Sequence, residues 1–166
     1  MTTSTKPRFR IRQAGLNDLP EAARTLALSW RESYVGLVPD EAIERHENGV
    51  EERGARWQQA ACQGQYYWIV LDGERIVGVS TAVPARDADA PTGLELALFC
   101  LLDVARGCGV GDKLLQITIG DAPAYLWAAE ADEDAMAFFR GHGFRPEGRR
   151  RDWAGTGQDQ IMMVRA

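Results

Sequence analysis

"ARGCGVGDKLL" (residues 105–115) places glycine at 107, 109 and 111 and then runs straight into apolar residues at helical spacing. Three uses of such bare backbone differ in what must surround it. A mononucleotide loop needs G-x-x-x-x-G-K-[ST]. Here the glycines span one residue too few, and Lys113 stands between Asp112 and Leu114, so that use fails. A dinucleotide loop needs G-x-G-x-x-G inside a β-α-β unit. Asp112 occupies the place of the third glycine, and the stretch follows a run of hairpin strands, which weighs against it. The third use needs only a strand ending at Leu102 and a helix starting near Gly109. Several free amides would then sit at the positive end of a helix dipole, which suits a pyrophosphate. Gly107, Gly109 and Gly111 would let phosphate oxygens approach without a Cβ in the way. Arg106 could add a charge-assisted contact. A loop that merely turns the chain remains the alternative.

Outward from the loop, the apolar period assigns the neighbouring elements. "GLELALFCLL" (93–102) is strand-sized, and "QYYWIVLDGERIVGVSTAV" is two strands joined through Asp72-Gly73, a strong hairpin signal. Upstream, "RFRIRQA" (8–14) alternates as a first strand. "NDLPEAARTLALSWRESY" then offers an Asx cap and a proline near the start of a helix. "PDEAIERHENGVEERGARWQQAACQ" holds one or two further helices, broken near Asn48-Gly49. Downstream lie a short helix in "GDKLLQITIGD", a strand in "PAYLWAA" and a helix in "DEDAMAFFRGHG" stopped by Gly141 and Gly143. Strands in "FRPEGRRRDW" and "QDQIMMVRA" end the chain. The order β-αα-β-β-β-α-β-α-β-β implies an α/β fold with a mixed sheet and helices packed on it.

The 166 residues suit one domain, 1–166, with no repeat or long linker. A net charge of −5 weighs against a nucleic-acid partner and mildly favours a cationic one. Apolar runs fall far short of the roughly 20 residues that span a bilayer, and "MTTSTKPRFR" has no apolar leader. Three cysteines, an odd number, do not make a disulfide framework, and a reduced cytoplasmic setting is expected. No His or Cys has metal-ligand spacing, so no metal is expected. His142 reads as structural, His46 as part of the solvated face of a charged helix, and Cys108 as a nucleophile lacks a His or Lys motif to support it.

Arg106-Gly107-Cys108-Gly109-Val110-Gly111 resembles the R/Q-x-x-G-x-G/A loop of the GNAT superfamily of acetyl-CoA-dependent N-acetyltransferases. "ELALFCLLDVARGCGVGDKLL" is similar to that family's fourth strand, loop and following helix. "YLWAAEADEDAMAFFRGHGFRPEG" (125–148) resembles its fifth strand, next helix and the "GF" entering the sixth strand, and "SWRESYVGLVPDEAI" (29–43) its acceptor-side helices. The resemblance implies splayed fourth and fifth strands and a pyrophosphate cradled by residues 107 to 112. It also implies a pantetheine arm paired with the backbone of Phe99, Cys100 and Leu101. The implied co-substrate is acetyl-CoA and the implied partner is a small-molecule or peptide amine, with a homodimer left open.

Acetyl transfer asks chiefly that an amine be aligned with an activated thioester and lose a proton before attack. By the resemblance Glu95 holds the position of the base, with Glu130 a second candidate. An ordinary Glu paired with an Arg is the competing account of Glu95. Two residues depart from the family pattern: Asp132 replaces an Asn near the cofactor, where it could simply cap a helix. Phe139 replaces a Tyr that can protonate the leaving thiolate. The alternative function, a non-catalytic acyl-CoA-binding module, rests on these two departures. Trp30, Glu32 and Tyr34 are the acceptor-pocket candidates, although "SWRESY" could equally be one face of a core helix.

Overall fold

A computed structural model describes residues 7–166; the first six residues of the "MTTSTKPRFR" stretch lie outside the described residues. One seven-stranded sheet runs in the order β1-β2-β3-β4-β5-β7-β6. Its strands are β1 (Phe9–Gln13), β2 (Tyr67–Asp72), β3 (Arg75–Pro84), β4 (Leu94–Leu101), β5 (Ala124–Ala129), β6 (Arg145–Trp153) and β7 (Gln158–Arg165). Every neighbouring pair is antiparallel except β4 and β5, which are parallel and joined through a helix. The helices are α1 (Leu19–Tyr34), α2 (Asp40–Asn48), α3 (Val50–Cys62), α4 (Val110–Ile119) and α5 (Glu133–Gly141). The segment between β1 and β2 therefore holds three helices where the sequence order counted two. The extra break falls at Gly49, as the Asn48-Gly49 signal indicated.

Two helical layers explain the long apolar strands. On one face, Leu19 and Ala22 of α1 and Trp57 of α3 pack on Ile69, Leu71, Ile76 and Val79. On the other, Leu115 and Ile119 of α4 and Met136 and Phe139 of α5 pack on Leu96, Leu126 and Met163. A strand covered on both sides reads as a continuous apolar run, which is the pattern of "LELALFCLL". A register shift opposite Thr81 and Ala82 leaves Ala97 as an extra residue in β4. Leu96 accordingly joins the α4–α5 layer, while Leu98 and Cys100 join the α1–α3 layer.

Local punctuation behaves as its chemistry dictates. Gly73 takes φ +63° in the two-residue turn between β2 and β3, where Asp72 pairs with Arg75. The Asx cap expected for α1 takes another form. Asp18 sits at the cap position, but its carboxylate accepts from the Gly15 amide (2.7 Å) and pairs with Arg12.

Candidate active site

β4 and β5 meet only at Glu95 and Tyr125, then diverge towards their C-terminal ends. The wedge opens into a cavity of about 680 Å³ bordered by both strands, α1, the glycine loop and the start of α5. Beyond Glu95, the edge of β4 that faces β5 carries no ladder, and Phe99, Cys100 and Leu101 border the cavity there. Cys100 is a buried thiol, and burial pushes its pKa up to about 12, so it stays neutral.

At one end lies the glycine loop. Gly107 and Gly109 take φ +72° and +85°, a left-handed conformation that other residues adopt only under strain. A Cβ at either would meet nothing within 4 Å, so it is the backbone conformation, not crowding, that favours glycine there. Gly111 is different: a Cβ there would come within 3.2 Å of Leu101 and 3.3 Å of Phe138. Its bareness lets α4 approach β4 and α5 closely. Gly109 is the cap residue of α4, so the amides of Val110, Gly111 and Asp112 belong to a first turn with no carbonyl one turn behind them. Arg106 also borders the cavity, held by Leu101 O (3.0 Å), Ser33 Oγ (2.8 Å) and the Asp103 carboxylate (3.1 Å). Asp112 pairs with His142 Nε2 at 2.8 Å, tying the start of α4 to the end of α5. The Cys108 thiol donates to Ala105 O.

At the other end the wall is aromatic. Trp30 and Tyr34 of α1 meet Trp153 at the end of β6, with centroids 4.9 Å apart for each pairing with Trp153. His46, expected on a solvated helix face, instead stacks under Trp30 at 3.9 Å with its Nδ1 buried. Burial pushes His46 down to about 3, and its Nδ1 has no hydrogen-bond partner, so the ring is neutral and acts as packing. Tyr34 donates to Asp132 Oδ2 (3.3 Å), while Asp132 Oδ1 accepts from the Ala135 amide (3.1 Å) and caps α5. Burial first, then the Asp132 charge, raises the Tyr34 pKa well above the usual phenol value.

The other expected site residues go elsewhere. Glu95 is 3% exposed, pairs with Arg86 and lies 2.9 Å from the Tyr125 hydroxyl, outside the cavity lining. That hydroxyl also lies 2.8 Å from Asp87 Oδ2 and accepts the amides of Arg86 and Asp87. Trp127 Nε1 completes the cluster by donating to Asp87, the first cause of the lowered Asp87 pKa. The ordinary account of Glu95, a Glu paired with an Arg, is thus the geometry observed. Glu130 is exposed and pairs with Arg150, also off the cavity. Glu32 accepts the Asp103 amide (2.8 Å) and steadies the loop approach instead of lining the acceptor end. Phe139 does border the cavity, although it is 7% exposed and packs edge-on against Phe99, Phe138 and Phe144. Trp153 and Trp127, both cavity residues, went unnoticed in the sequence because neither carries a local signal.

A sequence model of the acetyltransferase (GNAT) domain matches residues 63–146, 84 of the 166. The chain belongs to the GNAT acetyltransferase family. Solved GNAT structures share the fold across nearly the whole chain. The PaiA N-acetyltransferase of Thermoplasma acidophilum, crystallised in complex with coenzyme A, aligns with a TM-score of 0.70 at 18% identity, covering 95% of this chain and 98% of its own. A GCN5-related N-acetyltransferase from Rhodopseudomonas palustris gives 0.71 at 15% identity, with 98% of each chain covered. The ribosomal-protein-alanine N-acetyltransferase of Brucella melitensis gives 0.65 at 20% identity, covering 94% of this chain and 98% of its own. No curated protein matches the sequence significantly. Among the described residues, no helix of this GNAT protein is long and apolar enough to cross a membrane.

Proposed function

We propose that this chain moves an acetyl group from acetyl-CoA to a primary amine by direct attack within a ternary complex, as one catalytic domain spanning residues 1–166. The observation that carries this reading is the cavity in the β4–β5 wedge, which has an amide-rich glycine loop at one end and an aromatic wall with a carboxylate at the other. Such a shape suits a long anionic thioester entering from the loop side and an amine entering from the other. The amides of residues 107–112 and the α4 dipole would hold the pyrophosphate. Arg106, fixed by three partners, would add its charge there without first losing side-chain freedom. The unpaired edge of β4 at Phe99, Cys100 and Leu101 would offer the pantetheine amides a strand to join.

The enzyme then has little covalent chemistry to perform. It aligns nitrogen with the thioester carbon, excludes water and removes a proton. Phe139 gives no proton, and a thiol with an ordinary pKa of about 8.5 leaves as thiolate without one.

The first test is thermal unfolding of the protein alone and with acetyl-CoA, CoA, NADH or ATP. Ligand at about a hundred times its dissociation constant adds roughly 2.7 kcal/mol. For a chain of this length the midpoint rises by about 5–11 °C. A rise with both CoA species, followed by thiol release with a primary amine, is the expected result. A rise with NADH or ATP alone overturns the reading. CoA binding without thiol release across a broad amine panel replaces it with a binding module.

A further inference from the structure

Among the described residues, Asp112, Asp132 and Asp134 are the carboxylates that border the cavity. Asp112 pairs with His142 Nε2 and Asp134 is exposed in the first turn of α5, while Glu95 and Glu130, off the cavity, are held by Arg86 and Arg150. Asp132 differs. It borders the cavity, is partly buried, and among the described residues pairs with no Lys, Arg or His. One oxygen caps α5; the other is held by the Tyr34 hydroxyl beside the rings of Trp30 and Trp153. A carboxylate in an aromatic-walled cavity, without its own cation, is poised to receive one from outside.

We propose that Asp132 receives the ammonium of the acceptor and takes its first proton, with Tyr34 fixing the carboxylate and Trp30 and Trp153 walling the apolar body of the amine. The inference rests on the acetyltransfer reading and names its acceptor class: a cationic primary amine carried on an apolar or aromatic body. The proton on the ammonium passes to Asp132 and then to solvent. The freed lone pair attacks the thioester carbonyl carbon, so the C–N bond forms and the C–S bond breaks. Sulfur leaves with the electron pair, and the second proton lost from nitrogen ends on it as thiol. Tyr34 stays a neutral donor throughout, since burial and the neighbouring carboxylate both oppose its ionisation.

Phenethylamine is a suitable probe and phenethyl alcohol its uncharged counterpart. Binding to the CoA-loaded protein is followed by tryptophan fluorescence, because Trp30, Trp127 and Trp153 all border the cavity. Expected is saturable binding of the amine, at least tenfold tighter than the alcohol. Asp132→Asn should weaken the amine at least tenfold and leave the alcohol unchanged. Glu133→Gln, with the same loss of charge at the adjacent exposed residue of α5, off the cavity, should change neither by more than about twofold. In each variant the CoA-induced rise in melting temperature reports that fold and cofactor site are intact. Equal amine affinity in Asp132→Asn and wild type overturns the inference, as does equal affinity for amine and alcohol. Loss in Glu95→Gln instead returns the role to Glu95 and overturns it too. Absence of any CoA-induced rise in the wild type defeats the acetyltransfer reading itself, and is told apart by that measurement alone.

Discussion

Glu95 and Asp132 flank the same wedge, one near its closed end and one at its open mouth, and their surroundings are opposite. Glu95 is 3% exposed and fully engaged, by the Arg86 guanidinium and the Tyr125 hydroxyl. Asp132 is engaged only by neutral donors, the Tyr34 hydroxyl and the Ala135 amide. A carboxylate already neutralised by a guanidinium holds strands together; taking a proton from a substrate would first require Arg86 to leave. A carboxylate held by neutral donors keeps its charge for the substrate. Position on β4 pointed to the first, and the pairing pattern points to the second.

The largest effect that would break this contrast is on turnover. Asp132→Asn is expected to slow acetyl transfer at neutral pH by about a hundredfold to a thousandfold, the range of a lost general base. Asn caps a helix as well as Asp, so the melting temperature should hardly move. A thiol-release assay beside a melt reads both; a stable variant with unimpaired turnover returns the two carboxylates to equal standing. Glu95→Ala should do the reverse. Removing it costs the Tyr125 hydroxyl one of its two carboxylate partners, Asp87 remaining, while Arg86, with a side chain 64% exposed, relaxes into water. A loss of about 1–3 kcal/mol follows from the lost charge-assisted hydrogen bond and the space left by a buried side chain. That lowers the midpoint by about 2–12 °C, with the CoA-induced rise preserved.

A smaller effect sharpens the contrast from the wall behind Asp132. Folded His46 titrates at about 3, whereas an unfolded histidine titrates near 6.5. Between these values the unfolded chain binds the extra proton, so stability is full above about pH 6.5 and declines as pH falls towards 3. His46→Phe, which keeps a flat ring under Trp30, should flatten that acid limb in melts taken from pH 7 to 4. An unaltered limb would show that the ring already reaches water. The smallest effect is expected from Phe139→Tyr. That ring is packed among three other phenylalanines, so its new hydroxyl should change the rate by less than about threefold. A tenfold rise in the thiol-release rate would mean that protonation of sulfur, not deprotonation of nitrogen at Asp132, limits transfer.

Much of the fold was legible because its signals are local. The hairpin at Asp72-Gly73, the doubly covered run "LELALFCLL", the break at Asn48-Gly49 and the stop at Gly141 to Gly143 each state their structure within a few residues. The loop at 107–111 was legible for the same reason, since positive φ at Gly107 and Gly109 and close approach at Gly111 are conditions that favour glycine. The acceptor end was not. Trp30 lies 102 residues before Asp132 and Trp153 lies 21 after it, and nothing near Asp132 announces that Tyr34 will reach it. The partner of Glu95 was equally hidden: Arg86 lies in "PARDADAPT", which reads simply as a polar connection.

By itself, then, the sequence determined the alternation of elements, the glycine cradle and, through the ordered match, the family. Backbone conformation and apolar period are written in neighbouring residues. Only the tertiary structure decided which carboxylate is left without a cationic partner, because a side chain's charge is compensated or not according to what distant strands and helices bring within about 3 Å of it.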